Sequence, residues 1–199
     1  MAPIQRNALF LFRNIMTSQV LLTLKQNVKP AVLTQLKETQ RPAHYRKDHW
    51  TPMIAVTGFE SFTHLNLLNT LVHDNIDPIK KDAEWLKKKK TVRKVEEMDQ
   101  VDSRVIALCK GLNQLPKRLH NAEVPKLTLF WERPSLKDVI EKDELNWPAF
   151  VAHEKLQIIR GRNIMNDEFR VTKTAQERKS RVKPQPVNRI GDASRRMHE

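Results

Sequence analysis

Residues 77–115 read DPIKKDAEWLKKKKTVRKVEEMDQVDSRVIALCKGLNQL, the longest stretch in which periodicity and charge pattern speak together. Asp77 followed by Pro78 has the form of an N-cap and a first helical position, where a missing N–H costs nothing. A helix is therefore expected over about 78–115. Its first turns carry Lys80, Lys81, Lys87, Lys88, Lys89, Lys90, Arg93 and Lys94 against Asp82 and Glu84, and Glu96, Glu97, Asp99 and Asp102 then reverse the sign. Met98, Val101, Val105, Leu108, Leu112 and Leu115 recur at spacings of three and four, as in an a/d seam. One half reads as polyanion-facing and the other as protein-facing. The plainer alternatives are a solvated lysine face and a seam packed on the chain's own core. Cations in the first turns oppose the helix dipole, a strain that an anionic partner relieves. Gly111 lowers helix propensity inside the seam and allows a bend or an end there.

The 199-residue chain has 36 Lys and Arg against 23 Asp and Glu, a formal charge of +13. That balance favours phosphate or anionic membrane surfaces as partners, and nucleic acid is the commoner of the two at this size. Four glycines are few for the turns and phosphate loops of a βαβ enzyme, and hydrophobic residues gather between about 50 and 165. The expected fold is mainly α: a helix-rich core over 53–165, at most one or two short strands, and extended basic segments at both ends. The single cysteine, Cys109, falls at an apolar helical phase, where a buried small side chain is the ordinary reading and a catalytic thiol the rarer one. One cysteine cannot form an intrachain disulfide, which fits a reducing compartment.

Residues 1–37 contain Arg6, Arg13, Lys25, Lys29 and Lys37 and no acidic side chain. Leu9, Phe12, Met16 and Val20 share one helical face. Basic, acid-free and amphipathic is the pattern of a mitochondrial transit peptide, and a matrix location follows. The alternative is an ordinary basic N-terminal helix of a cytosolic or nuclear protein. A secretory signal is cut short by Arg13, and no run approaches the roughly 18 apolar residues of a membrane span.

Residues 38–52 read as an extended arm in which Arg41, His44, Tyr45, Arg46, Lys47, His49 and Trp50 interleave cations with rings, a mixture suited to RNA phosphates and splayed bases. Met53–Val56 is a candidate strand. Thr57 and Glu60 form a candidate capping box before a helix carrying Leu65, Leu68, Leu71 and Val72. Leu127–Trp131 is a second short strand or an apolar anchor. Ser135 with Asp138 opens an acidic helix, and Pro148 starts another running to Gly161. The chain has no glycine-rich phosphate loop, no nucleophile elbow and no cysteine–histidine cluster. No enzymatic activity, cofactor, metal or small-molecule substrate is expected. The segment 166–199 is basic and almost free of apolar residues, so it is expected to be disordered alone.

A transit-like start, a modest helical core, two basic blocks and a basic tail together resemble the accessory proteins of mitochondrial ribosomes. The order of a lysine-rich helix, then Glu132-Arg133-Pro134, then an acidic helix is similar to a large-subunit component. The resemblance implies a structural constituent whose partners are ribosomal RNA and neighbouring mitochondrial ribosomal proteins. Its phosphate clamps would be Arg46, Lys47, Lys87, Lys88, Lys89, Lys90, Arg93, Arg178, Lys179 and Arg181. Met98, Val101, Val105, Leu108, Leu112 and Leu115 would dock on neighbouring proteins. The competing reading is an assembly factor or respiratory-complex accessory subunit, using the same seam for protein and the basic surfaces for anionic lipid.

Overall fold

Ala8-Leu9-Phe10-Leu11-Phe12 is apolar at every position, and a strand covered on both faces needs such an unbroken run. In the computed structural model, which describes residues 7–78, 81–119 and 125–158, it is the middle of strand β1 (Asn7–Asn14). The expected amphipathic helix at the N-terminus is thereby overturned. Leu9 and Leu11 enter one core cluster, and Ala8, Phe10 and Phe12 enter the other. The period is two, as on a pleated strand.

The chain turns back at Asn14, whose side-chain oxygen accepts from the backbone N–H groups of Met16 at 2.9 Å and Thr17 at 3.3 Å. Ser18 takes a left-handed φ of 56°, and strand β2 (Val20–Thr23) returns antiparallel to β1. Gln35 then covers the outer edge of β2, accepting from Leu22 N–H at 2.9 Å and donating to its carbonyl at 2.7 Å. A glutamine side chain here satisfies the edge groups that a further strand would otherwise pair.

Strand β3 (Trp50–Phe59) lies on the other side of β1. Its register shifts twice. Pro52, which has no N–H for a ladder, sits beside one irregularity between Leu11 and Phe12 of β1. Gly58 lies at the other, with φ at +98°, where an added Cβ would collide with the Lys126 carbonyl oxygen. Strands β4 (Leu127–Trp131) and β5 (Val151–Lys155) complete a five-stranded mixed sheet of order β2-β1-β3-β4-β5, in which only β4 and β5 are parallel. The expectation of a mainly α fold with at most two strands is wrong. Both strands expected at Met53–Val56 and Leu127–Trp131 are present, but the N-terminal segment and Val151–Lys155 add three more.

Helix α1 (Phe62–Asp74) is capped by Ser61, which accepts from Thr63 N–H at 3.0 Å. Thr57 belongs to β3, so the expected capping box does not form. The expected single helix over 78–115 is three: α2 (Ala83–Lys87), α3 (Lys90–Met98) and α4 (Val101–Arg118). Asp77 caps none of them and pairs with Lys110 at 2.6 Å. Helix α4 runs through Gly111 and Pro116. A Cβ on Gly111 would meet Val72 of α1 at 3.4 Å, so the glycine serves a close helix–helix approach rather than a bend. The segments expected as helices after Ser135 and Pro148 are a 3-10 helix (Pro134–Asp143) and β5.

One face of the sheet, with Leu9, Leu11, Val56 and Leu129, packs on Leu68 and Val72 of α1 and Leu108 and Leu112 of α4. The other face, with Phe10, Phe12, Ala55 and Phe130, is covered by Val28, Leu33, Leu36 and Leu156. The docking seam is thus spent inside the fold. Val105, Leu108, Leu112 and Leu115 are all fully buried, and Met98 and Val101 are half-buried, so the last four residues of the seam are not available to a partner protein. Cys109 is buried beside them.

Candidate nucleic-acid interface

The lysine run does not sit in one helix: the chain folds back and brings Lys81 and Lys88 onto carboxylates of α3. Asp82 caps α2 by accepting from Trp85 N–H at 2.7 Å. The backbone turns extended at Lys88 and Lys89, and α3 starts at Lys90 without a side-chain cap. Lys88 then pairs with Glu96 at 2.7 Å and Lys81 with Glu97 at 3.0 Å. In a continuous helix, residues 81 and 97 would stand about 24 Å apart. The sign reversal along the sequence is therefore the signature of a helical hairpin.

Trp85 is the hinge pin. It is only 8% exposed, with the Lys81 ammonium and the Arg93 guanidinium each 5.2 Å from its ring centroid. Arg93 of α3 on the indole of α2 holds the two helices together by attraction to the ring's negative face, and Lys81, just before α2, shares the ring. Trp85 Nε1 and Arg93 Nε are buried without hydrogen-bond partners. Beside them opens a cleft of about 580 Å³, lined by Lys81, Trp85, Lys90, Arg93 and Lys94, with Glu97 its one acidic side chain. Leu86, Val92 and Val95 on the same helices are 57%, 44% and 63% exposed.

Of the residues expected to clamp phosphate, Lys87, Lys88, Lys89 and Lys90 are exposed and Arg93 is half-buried. They come together on this hairpin. Lys88 is partly neutralised by Glu96. Arg46 and Lys47 are exposed on the loop before β3, and neither lines the cleft. Arg46 pairs with Asp48 at 2.8 Å, and that hydrogen bond holds the Asp48 carboxyl below its ordinary value. Arg178, Lys179 and Arg181 lie outside the described residues. Reading the sequence for cations alone missed Trp85. A lone tryptophan between Lys81 and the four-lysine run was the available signal.

Two titratable groups with shifted pKa values lie away from the hairpin. Burial pushes the Cys109 thiol up to about 11, and a neutral buried thiol is a poor nucleophile. His153 accepts from Trp131 Nε1 at 3.0 Å, and burial followed by the nearby Lys137 lowers its pKa. No cluster of three or more metal-ligating side chains occurs among the described residues, and none of their helices is long and apolar enough to cross a membrane.

A family described as transcriptional regulation of mitochondrial recombination matches residues 7–73, the stretch from β1 to the last turn of α1. With its mixed sheet and basic hairpin, the chain is a mitochondrial protein. It is 30% identical to the large ribosomal subunit protein mL67 of Schizosaccharomyces pombe over 169 residues, covering 77% of this chain and 90% of that protein. The chain belongs to the mL67 family.

Proposed function

We propose that this protein is a structural constituent of the large subunit of the mitochondrial ribosome, and that the α2–α3 hairpin lies against ribosomal RNA. The observation that carries the reading is the kinship with mL67 across 90% of that protein's length. The cleft supports the RNA contact. Exposed lysines on flexible stems neutralise phosphates, and Trp85, buried under Lys81 and Arg93, fixes the hairpin that presents them. Lys87, Lys89, Lys90 and Arg93 supply the charge, with no catalytic step. Arg46 and Lys47, and by sequence Arg178, Lys179 and Arg181, are further candidate phosphate contacts, and neighbouring ribosomal proteins are further partners.

The test has two arms. Tagged full-length protein from mitochondria is run on sucrose gradients at high and low magnesium, with comigration with the large subunit expected under both conditions. Purified protein is then titrated with single-stranded RNA across a salt series. Replacing Lys87, Lys89 and Lys90 by Gln should flatten the slope of log K against log salt by about 2, at roughly 0.7 per phosphate contact. Migration away from both subunits would end the ribosomal reading. An unchanged slope would end the assignment of the hairpin, and a preference for duplex DNA would turn the reading towards the recombination named in the family description.

A further inference from the structure

A second cavity, of about 340 Å³, opens at the N-terminus of α4. Its walls come from the loop over the sheet (Gln35, Lys37, Gln40), from the chain just after α1 (Ile76 to Pro78), from Lys81 and Glu97, and from Asp99, Gln100, Ser103 and Arg104. The space is on the order of ten water volumes. Helix α4 has 18 residues and its N-cap Gln100 makes no side-chain cap bond; Asp99 takes the Val101 N–H at 3.3 Å, and the helix dipole still directs positive potential to this end.

Arg104 is the second observation. It is 7% exposed, it lines this cavity, and its Nε and Nη1 find no hydrogen-bond partner. A buried guanidinium without a counter-charge is among the costliest arrangements a fold can hold. The three acidic side chains on the wall bond to groups other than Arg104: Asp77 to Lys110 at 2.6 Å, Glu97 to Lys81 at 3.0 Å, and Asp99 to the Val101 N–H at 3.3 Å. Burial lowers the pKa of Arg104. Burial, followed by the charge of Arg104, lowers that of His73, so the neighbouring imidazole is held neutral and adds no second cation.

We propose that this cavity is an anion site in which Arg104 and the first turn of α4 bind a phosphate group, with Ser103, Gln40 and Lys37 as the polar rim. Phosphate matches the requirement because its oxygens accept from a guanidinium fork and from helix-terminal amides together. The group comes either as free phosphate or as one phosphodiester of a nucleic-acid strand. The proposal stands independently of the ribosomal reading.

The test is thermal unfolding of the full-length protein in sodium phosphate against sodium chloride at matched ionic strength, and separately with a short single-stranded RNA. At a hundredfold excess over Kd, a ligand confined to the native state should raise Tm by roughly 5–10 °C for a chain of this size. Arg104→Met should melt above the wild type in chloride, because it removes an uncompensated buried charge, and should show no phosphate shift. A shift with phosphate that Arg104→Met abolishes supports the site and shows that the free ion suffices. A shift with RNA alone, abolished by the same variant, supports it with a phosphodiester as the source. No shift with either ligand, or a shift that Arg104→Met retains, overturns it. Should Arg104→Met fail to fold, Arg104→Lys is read instead. It keeps the charge without the planar fork and should weaken apparent binding about tenfold, and unchanged binding overturns the proposal.

Discussion

Arg13 on β1 reaches past β3 to Glu132 at the end of β4, its Nη2 donating to both carboxylate oxygens at 3.1 Å. The two side chains are 14% and 17% exposed, so the bond joins strands that do not pair with each other. Water screens such a pair poorly, and removing one partner strands the other. Arg13→Met or Glu132→Gln is expected to cost about 2 kcal/mol in urea unfolding. The double variant Arg13→Met/Glu132→Gln should cost less than the sum of the two, because each single change already breaks the pair. Strictly additive costs would show that the contact contributes nothing of its own.

Arg13 belongs to a strand that a removed presequence of 37 residues would take away. Deleting residues 1–37 strips β1 and β2 from a five-stranded sheet and uncovers the inner edge of β3. It also removes Leu9, Leu11, Phe10 and Phe12, together with Val28, Leu33 and Leu36 that cover the second face. The truncated chain is expected to lose its near-ultraviolet circular dichroism and its cooperative unfolding transition. A processing cut compatible with this fold falls before Asn7, which sequencing the N-terminus of protein taken from mitochondria would check.

The misreading of this segment has a plain physical origin. Leu9, Phe12, Met16 and Val20 fit a helical face, but the run from Ala8 to Phe12 is apolar at every position and fits a strand buried on both sides equally well. Periodicity cannot separate the two in so short a run. Strands β3 and β4 were legible because Pro, Gly and polar residues bound their apolar runs. Strand β5 was not, since Val151 is its only buried residue and it leaves no alternation to read. At the candidate site the cations were legible and their arrangement was not. The break at Lys88–Lys89 follows from Lys81–Glu97 and Lys88–Glu96 pairing across a hairpin, a contact that no helical spacing encodes. Arg104 carries no sequence signal that separates it from a surface cation, and its burial alone marks it.

Two glycines separate backbone strain from packing. Gly58 holds φ at +98°, and a Cβ there would fall inside contact distance of the Lys126 carbonyl oxygen. That atom is backbone and cannot step aside. Gly58→Ala should destabilise by more than about 2 kcal/mol, through strain and collision together. Gly111 is helical, and an added Cβ would meet Val72 at 3.4 Å. There the gain in helix propensity, about 1 kcal/mol, opposes a tight but yielding contact. Gly111→Ala should therefore change stability by less than about 1 kcal/mol. Denaturant midpoints of the two variants test both statements, and equal costs would contradict the account.

Cys109 gives the fold a pH dependence with a definite sign. Its ordinary value is 9.0 and burial carries it to about 11, so between those values the unfolded chain loses the thiol proton while the native state keeps it. Fewer protons on the unfolded state means that stability falls as pH rises. The contribution is intact below pH 9 and lost by pH 11, on the order of 2 to 3 kcal/mol in all. Other groups also change charge at alkaline pH, so the wild type must be read against Cys109→Ala. The stability difference between wild type and Cys109→Ala, measured by urea unfolding under reducing conditions, is expected to shrink from pH 8 to pH 11. A difference that holds constant over that range would mean that the thiol titrates alike in the folded and unfolded chains.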